Sequence, residues 1–110
     1  MIKPGKNIAI KIPSYKWQET VEFYRDRVGL TVKRILNESI GFEFGEMTLW
    51  LDRVEKQSQT DVWLELFSDD PDAAIEQLGG PARDYLEPLD SVEGHWTNDP
   101  AGVVLLVRKE

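Results

Sequence analysis

The sequence contains no cysteine and only one histidine, His95. The first absence removes disulfides, thiolate nucleophiles and sulfur-ligated metal sites. The second leaves little material for imidazole acid–base chemistry or histidine-rich metal centres. No apolar run approaches the roughly 20 residues that cross a bilayer. The start, Met1-Ile2-Lys3-Pro4-Gly5-Lys6, has neither an apolar leader core nor a cleavage-site pattern. A soluble cytoplasmic protein with no membrane partner is expected. Basic residues are outnumbered, 13 Lys and Arg against 20 Asp and Glu, for a net charge of -7. That balance argues against a nucleic-acid partner, because phosphate binding needs a basic face. It mildly favours neutral or cationic ligands, although acidity also serves solubility.

What is present reads as one globular domain. The 110 residues are 41% hydrophobic and 30% charged, a composition that folds without staples. A chain of this length buries roughly two-thirds of its unfolded surface. Ile8 to Ile12 alternates with period two, as a strand with one buried face does. Pro13-Ser14 breaks it, and Ser14 is placed to cap a helix. From Tyr15 to Val28 the apolar residues Trp17, Val21, Tyr24 and Val28 make one helical stripe, ended by Gly29. Strand-like pieces follow at Leu30 to Leu36, Ile40 to Phe44 and Met47 to Leu51, with Gly45-Glu46 as a hairpin turn.

After a polar stretch the plan repeats. Val62 to Leu66 alternates, Asp70 caps a helix with Pro71 at its first position, and Ala74, Ile75 and Leu78 form the stripe. Gly79-Gly80 stops that helix. Three further strands are predicted around Arg83 to Leu86, His95 to Asn98 and Val103 to Val107, with Asp99-Pro100-Ala101-Gly102 as a turn. An offset of 54 places Ile8, Ile10 and Ile12 on Val62, Leu64 and Leu66, and Tyr24 on Leu78. The fold class is therefore α+β: two tandem βαβββ modules, about 6–53 and 61–109 with a linker near 54–60, forming a curved mixed sheet with helices on its convex face.

Several short motifs then carry a resemblance. Phe23-Tyr24-Arg25-Asp26 with Gly29-Leu30, the helix start Asp70-Pro71-Asp72-Ala73-Ala74, and Trp96-Thr97-Asn98-Asp99-Pro100-Ala101-Gly102 fall in the order and spacing of the glyoxalase/bleomycin-resistance/extradiol dioxygenase (vicinal oxygen chelate) superfamily. Across nearly its whole length the chain resembles that family. The resemblance implies metal-ligand positions at Asn7 in the first strand, near Trp50 in the fourth (Leu49 or Leu51 if shifted by one), Trp63 in the fifth and Leu106 in the last. Asn7 offers one weak carbonyl oxygen and the others offer no ligand atom, whereas a catalytic metal needs about three protein donors. No metal and no cofactor are expected.

Alternation also says which residues oppose the helices. Asn7, Ala9 and Lys11, then Thr48, Trp50 and Asp52, then Trp63 and Glu65, then Val104 and Leu106 share that face. His95 and Trp96 sit one hairpin away with their direction open. The candidate ligand-binding residues are Trp50, Trp63, Glu65, Trp96, Asn7, Asp52 and Leu106. As an aromatic clamp they would hold a planar or cationic small organic molecule, with Glu65 or Asp52 taking a cationic group. The plain alternative is that the tryptophans only pack. Trp17 belongs to the core, and Glu43 is a solvated strand carboxylate unless paired with Glu65. His95 is structural unless a general base.

The expected function is metal-independent small-molecule binding, non-catalytic, in a homodimer that covers the sheet edges. The alternatives are a glyoxalase- or dioxygenase-like enzyme with an unorthodox metal site drawn from His95, Glu65, Glu43 and Asp52, and a non-catalytic dimerising scaffold.

Overall fold

A computed structural model describes residues 1–110. The elements run β1 (Ile2–Pro13), a 3-10 turn (Ser14–Lys16), α1 (Trp17–Glu22), a π-helical turn (Phe23–Arg27), β2 (Val32–Ile35), β3 (Ser39–Phe44) and β4 (Met47–Val54). Then come β5 (Asp61–Ser68), α2 (Pro71–Leu78), β6 (Gly94–Asn98) and β7 (Val104–Arg108). The fold is α+β with mixed strand pairing, as the sequence predicts.

The chain divides into two compact units: Asn7–Val62, and Trp63–Glu110 together with Met1–Lys6. In the first, the strand order is β2-β3-β4-β1, antiparallel but for the parallel β1–β4 pair. In the second, the order is β6-β7-β5 with the first half of β1 beside β5, and β5–β7 is the parallel pair. Both parallel ladders share one register. Asn7 pairs with Thr48 and Trp63 with Val104, each pair 41 positions apart.

The first unit's core is Ile12, Val21, Phe42 and Leu51, with Ile10, Trp17, Tyr24, Leu30 and Ile40 packed against it. Helix α1 thus covers the face of Ile10, Ile12, Phe42 and Leu51, and alternation turns Asn7, Ala9, Lys11, Thr48, Trp50 and Asp52 to the opposite face. The second unit's core is Ala74, Ile75 and Val107 with Ile2 and Leu66. Asp70 caps α2, its carboxylate accepting from the Ala73 N–H at 3.1 Å, and Gly79 closes it at φ 92°.

Several expectations are corrected. Seven strands form rather than eight, because residues 81–93 stay irregular. Pro81 and Pro88 remove two ladder donors there, and the only backbone-to-backbone bond from that segment to β6 runs from the Arg83 N–H to the Trp96 carbonyl, at 2.6 Å. Ser14 caps nothing; its hydroxyl accepts from Arg53 Nε at 3.2 Å. The helix stripe fails at Val28, whose N–H bonds the Phe23 carbonyl five residues back. That π turn adds a residue and rotates Val28 outward, so Leu30 fills the core instead. Val62, Leu64 and Leu78 are exposed, since α2 spans only eight residues. Strand β2 is short, bulged between Val32 and Arg34, and carries Lys33 and Arg34, a form of edge that resists further strand addition.

Phe42 has no exposed surface, whereas Ile35 is 70% exposed. Phe42→Ala is expected to cost about 3–5 kcal/mol in urea unfolding, and Ile35→Ala less than about 0.5 kcal/mol. Comparable losses would place the core elsewhere.

Candidate functional site

On the helix-free face of the first unit, β4 presents Thr48, Trp50 and Asp52 between β1 and β3. The ladder sets Asn7, Ala9 and Lys11 beside them on one side and Glu43, Gly41 and Ser39 on the other. The Trp50 ring lies over Gly41: a Cβ added there would stand 3.0 Å from Cζ3. A methyl there would press the indole back by a few tenths of an ångström, so the glycine lets the ring lie close on the strand. Its Nε1–H donates to the Asn7 side-chain carbonyl at 2.8 Å, which fixes the ring's direction. Trp50 remains partly exposed.

Charged groups flank the ring. Asp52 accepts from Lys11 Nζ and from the Ser39 hydroxyl, each at 2.7 Å. The Lys11 side chain is only 7% exposed, so this pair sits inside the sheet face rather than on its rim. At the other end Lys33, on the edge strand, turns its ammonium inward to the buried Thr48 hydroxyl at 3.0 Å. Glu43 is exposed.

The second unit is built differently. Trp63, Glu65, Leu106 and Trp96 share one face by register. Trp63 and Trp96 meet edge to face, 5.0 Å between centroids, a favourable aromatic geometry. Trp96 is buried, and its indole donates to the Glu87 carbonyl at 2.9 Å. Glu65 is buried as well. Its carboxylate accepts the Lys6 backbone N–H at 2.8 Å and lies 3.6 Å from Arg108 Nη1. Gly5 passes directly over it, where a Cβ would come within 2.6 Å of Glu65 Cγ.

His95 points to the helix side. Its Nδ1 lies 2.8 Å from Asp84 and its Nε2 2.5 Å from Asp72 at the start of α2. Asp84 also accepts the Trp96 backbone N–H at 3.0 Å. The Asp84 and Asp72 carboxylates, in that order, hold the imidazole above its usual titration range. Both ring nitrogens are engaged by carboxylates, so neither is open to a substrate. It is a structural clasp between the irregular 81–93 segment and α2.

The residues at the inferred metal positions do not fit a divalent ion. The Asn7 carbonyl is engaged by Trp50, and Trp50, Trp63 and Leu106 have no ligand atom. No group of three or more His, Asp or Glu side chains is arranged to hold a metal ion. Of the residues that matter, the sequence reading named Asn7, Trp50 and Asp52 in the first unit, and Trp63, Glu65, Trp96 and Leu106 in the second. It missed Gly41, Ser39, Lys33, Asp72 and Asp84. Gly41 was readable, because a lone glycine inside a strand signals close approach. Lys33 was not, since the β2 bulge shifts its alternation.

No protein-family model matches the chain, and no curated protein does. Solved structures do match. A variant of the homoprotocatechuate 2,3-dioxygenase from Brevibacterium fuscum superposes with a TM-score of 0.65 at 17% identity, over 99% of this chain and 33% of that one. The Arthrobacter globiformis enzyme of that name gives 0.65 at 20% identity, over 99% and 36%. A glyoxalase/bleomycin resistance protein/dioxygenase superfamily member from Vibrio splendidus 12B01 gives 0.59 at 11% identity, over 94% and 97%. The chain therefore has the vicinal oxygen chelate fold. It spans about a third of the length of the dioxygenases it matches, and at such identities the likeness is one of fold alone. No helix is long and apolar enough to cross a membrane.

The clasp makes stability depend on pH. Because the folded-state pKa of His95 is raised above its ordinary 6.5, its contribution is complete below that value and is lost as pH rises through the folded pKa. The stability difference between the wild type and His95→Gln, read from urea midpoints between pH 5 and 9, is expected to shrink with rising pH. A difference independent of pH would mean that the imidazole is not charged in the fold.

Proposed function

We propose that this chain is a metal-independent small-molecule-binding protein of the glyoxalase/bleomycin-resistance type, taking a planar organic ligand on the helix-free face of its first unit. The observation that supports this most is the seating of Trp50. Its ring is laid on Gly41, aimed by the Asn7 hydrogen bond, and left partly exposed between polar groups. A large apolar ring fixed on a sheet face away from the helices loses little entropy when a second ring stacks on it. The flanking hydroxyls and charges would orient that ring. Trp63 and Trp96 already pack edge to face against each other and serve as support.

The metal-independent part of this reading rests on the donor set, in which the one oxygen at the inferred ligand positions already accepts a hydrogen bond. No observation favours an enzyme, because the single imidazole is locked between carboxylates.

Planar nitroaromatic compounds quench tryptophan on contact. Saturable quenching is expected for the wild type, unchanged by EDTA and abolished in Trp50→Leu, with fold integrity checked by circular dichroism. Quenching that survives Trp50→Leu, or that vanishes with EDTA, would contradict this reading.

A further inference from the structure

The charge of the ligand can be read from which ionic groups on the proposed binding face are already committed. Sequence alone points to a cation, because Asp52 and Glu65 lie on the helix-free faces. The structure gives both carboxylates cationic neighbours. Asp52 is bound by Lys11 and Ser39 at 2.7 Å each, and Glu65 is buried against Arg108 and the Lys6 N–H. Neither offers a free negative charge to a ligand.

Lys33 is the reverse case. A lysine on an exposed edge strand ordinarily extends its ammonium into water. Here the ammonium turns back over the sheet and rests on the buried Thr48 hydroxyl, an uncharged group. It makes no ion pair, although Glu43 sits across the ladder from Thr48. Thr48 is two residues from Trp50 on the same face, and Asn7, which anchors the indole, is its ladder neighbour on β1. The indole N–H edge and the Lys33 ammonium therefore converge on one Asn7–Thr48 row. An ammonium and a fixed aromatic ring disposed this way suit a ligand with a planar body and an anionic substituent at one edge.

Resting on the binding reading above, we propose that the ligand is a planar carboxylate, its ring stacked on Trp50 and its carboxylate taken by Lys33. The overall acidity of the chain does not oppose this. Charges farther away than about 8 Å are largely screened at physiological ionic strength, and of the nearer groups it is the Lys33 ammonium, not the exposed Glu43 across the ladder, that reaches the Thr48 hydroxyl. Asp52 and Lys11 then act as a neutral, rigid neighbour rather than as a ligand subsite.

The test compares three probes of one shape: para-nitrobenzoate, para-nitrobenzamide and para-nitrobenzylamine, titrated by tryptophan quenching at low and high salt. The anion is expected to bind about tenfold tighter than the amide, with the cation weakest, and to lose that advantage at high salt. Lys33→Gln is expected to bring the anion down to the level of the amide measured in the same variant, with the fold checked by circular dichroism. Lys33→Arg should keep the preference, which separates loss of charge from loss of fold. Equal or tighter binding of the amide or the amine by the wild type would overturn the proposal while leaving Trp50 as a platform. An anion preference that persists in Lys33→Gln would overturn it as well. Failure of all three probes to bind would sink the platform reading and this proposal with it.

Discussion

The hydrogen bond from the Trp50 indole to the Asn7 carbonyl joins two strands whose parallel pairing organises the first unit. It does three things at once. It fixes the largest side chain on the helix-free face, it engages the only oxygen among the inferred metal-ligand positions, and it holds the ring close on Gly41, where an added Cβ would crowd it. Each consequence follows from the register that sets Asn7 opposite Thr48 and Gly41 opposite Trp50. A shift of one residue would turn the tryptophan into the helix-covered core.

The two units reuse one strand plan for different ends. Both place a tryptophan on the helix-free face of a parallel pair, with the same register. In the second unit that tryptophan meets Trp96 edge to face, Glu65 is buried beneath Gly5, and the clasp of Asp72, His95 and Asp84 ties down the irregular segment. In the first unit the tryptophan lies over Gly41 and partly exposed, and Lys33 reaches the Thr48 hydroxyl two residues along the strand. The same strand plan thus buries its aromatic and acidic residues in the second unit and leaves the tryptophan partly exposed in the first.

How much of this was readable in the sequence depended on whether a signal was local. The caps and turns of α2 and of the Asp99–Gly102 turn were readable because a few adjacent residues determine them; Asp99 accepts both the Ala101 and the Val103 N–H. The faces of β1 and β4 followed from alternation. The failures came where one element altered its neighbour: the π turn that expelled Val28, the prolines that cancelled the sixth strand, and the bulge that turned Lys33 inward. Carboxylate positions were legible in Asp52 and Glu65, but not their neutralisation. Lys11, Ser39 and Arg108 come from distant parts of the chain, and no pattern in the sequence pairs them.

The central claim, that the Asn7 oxygen belongs to the Trp50 indole and not to a metal, can be put to one direct measurement. Paramagnetic Mn²⁺ broadens nuclear resonances close to its binding site, so it can be titrated into nitrogen-labelled protein while the Trp50 indole signal is followed. The account predicts a sharp, unshifted indole resonance at one equivalent of metal. Stoichiometric broadening of that resonance, reversed by EDTA, would place a metal at Asn7 and contradict it.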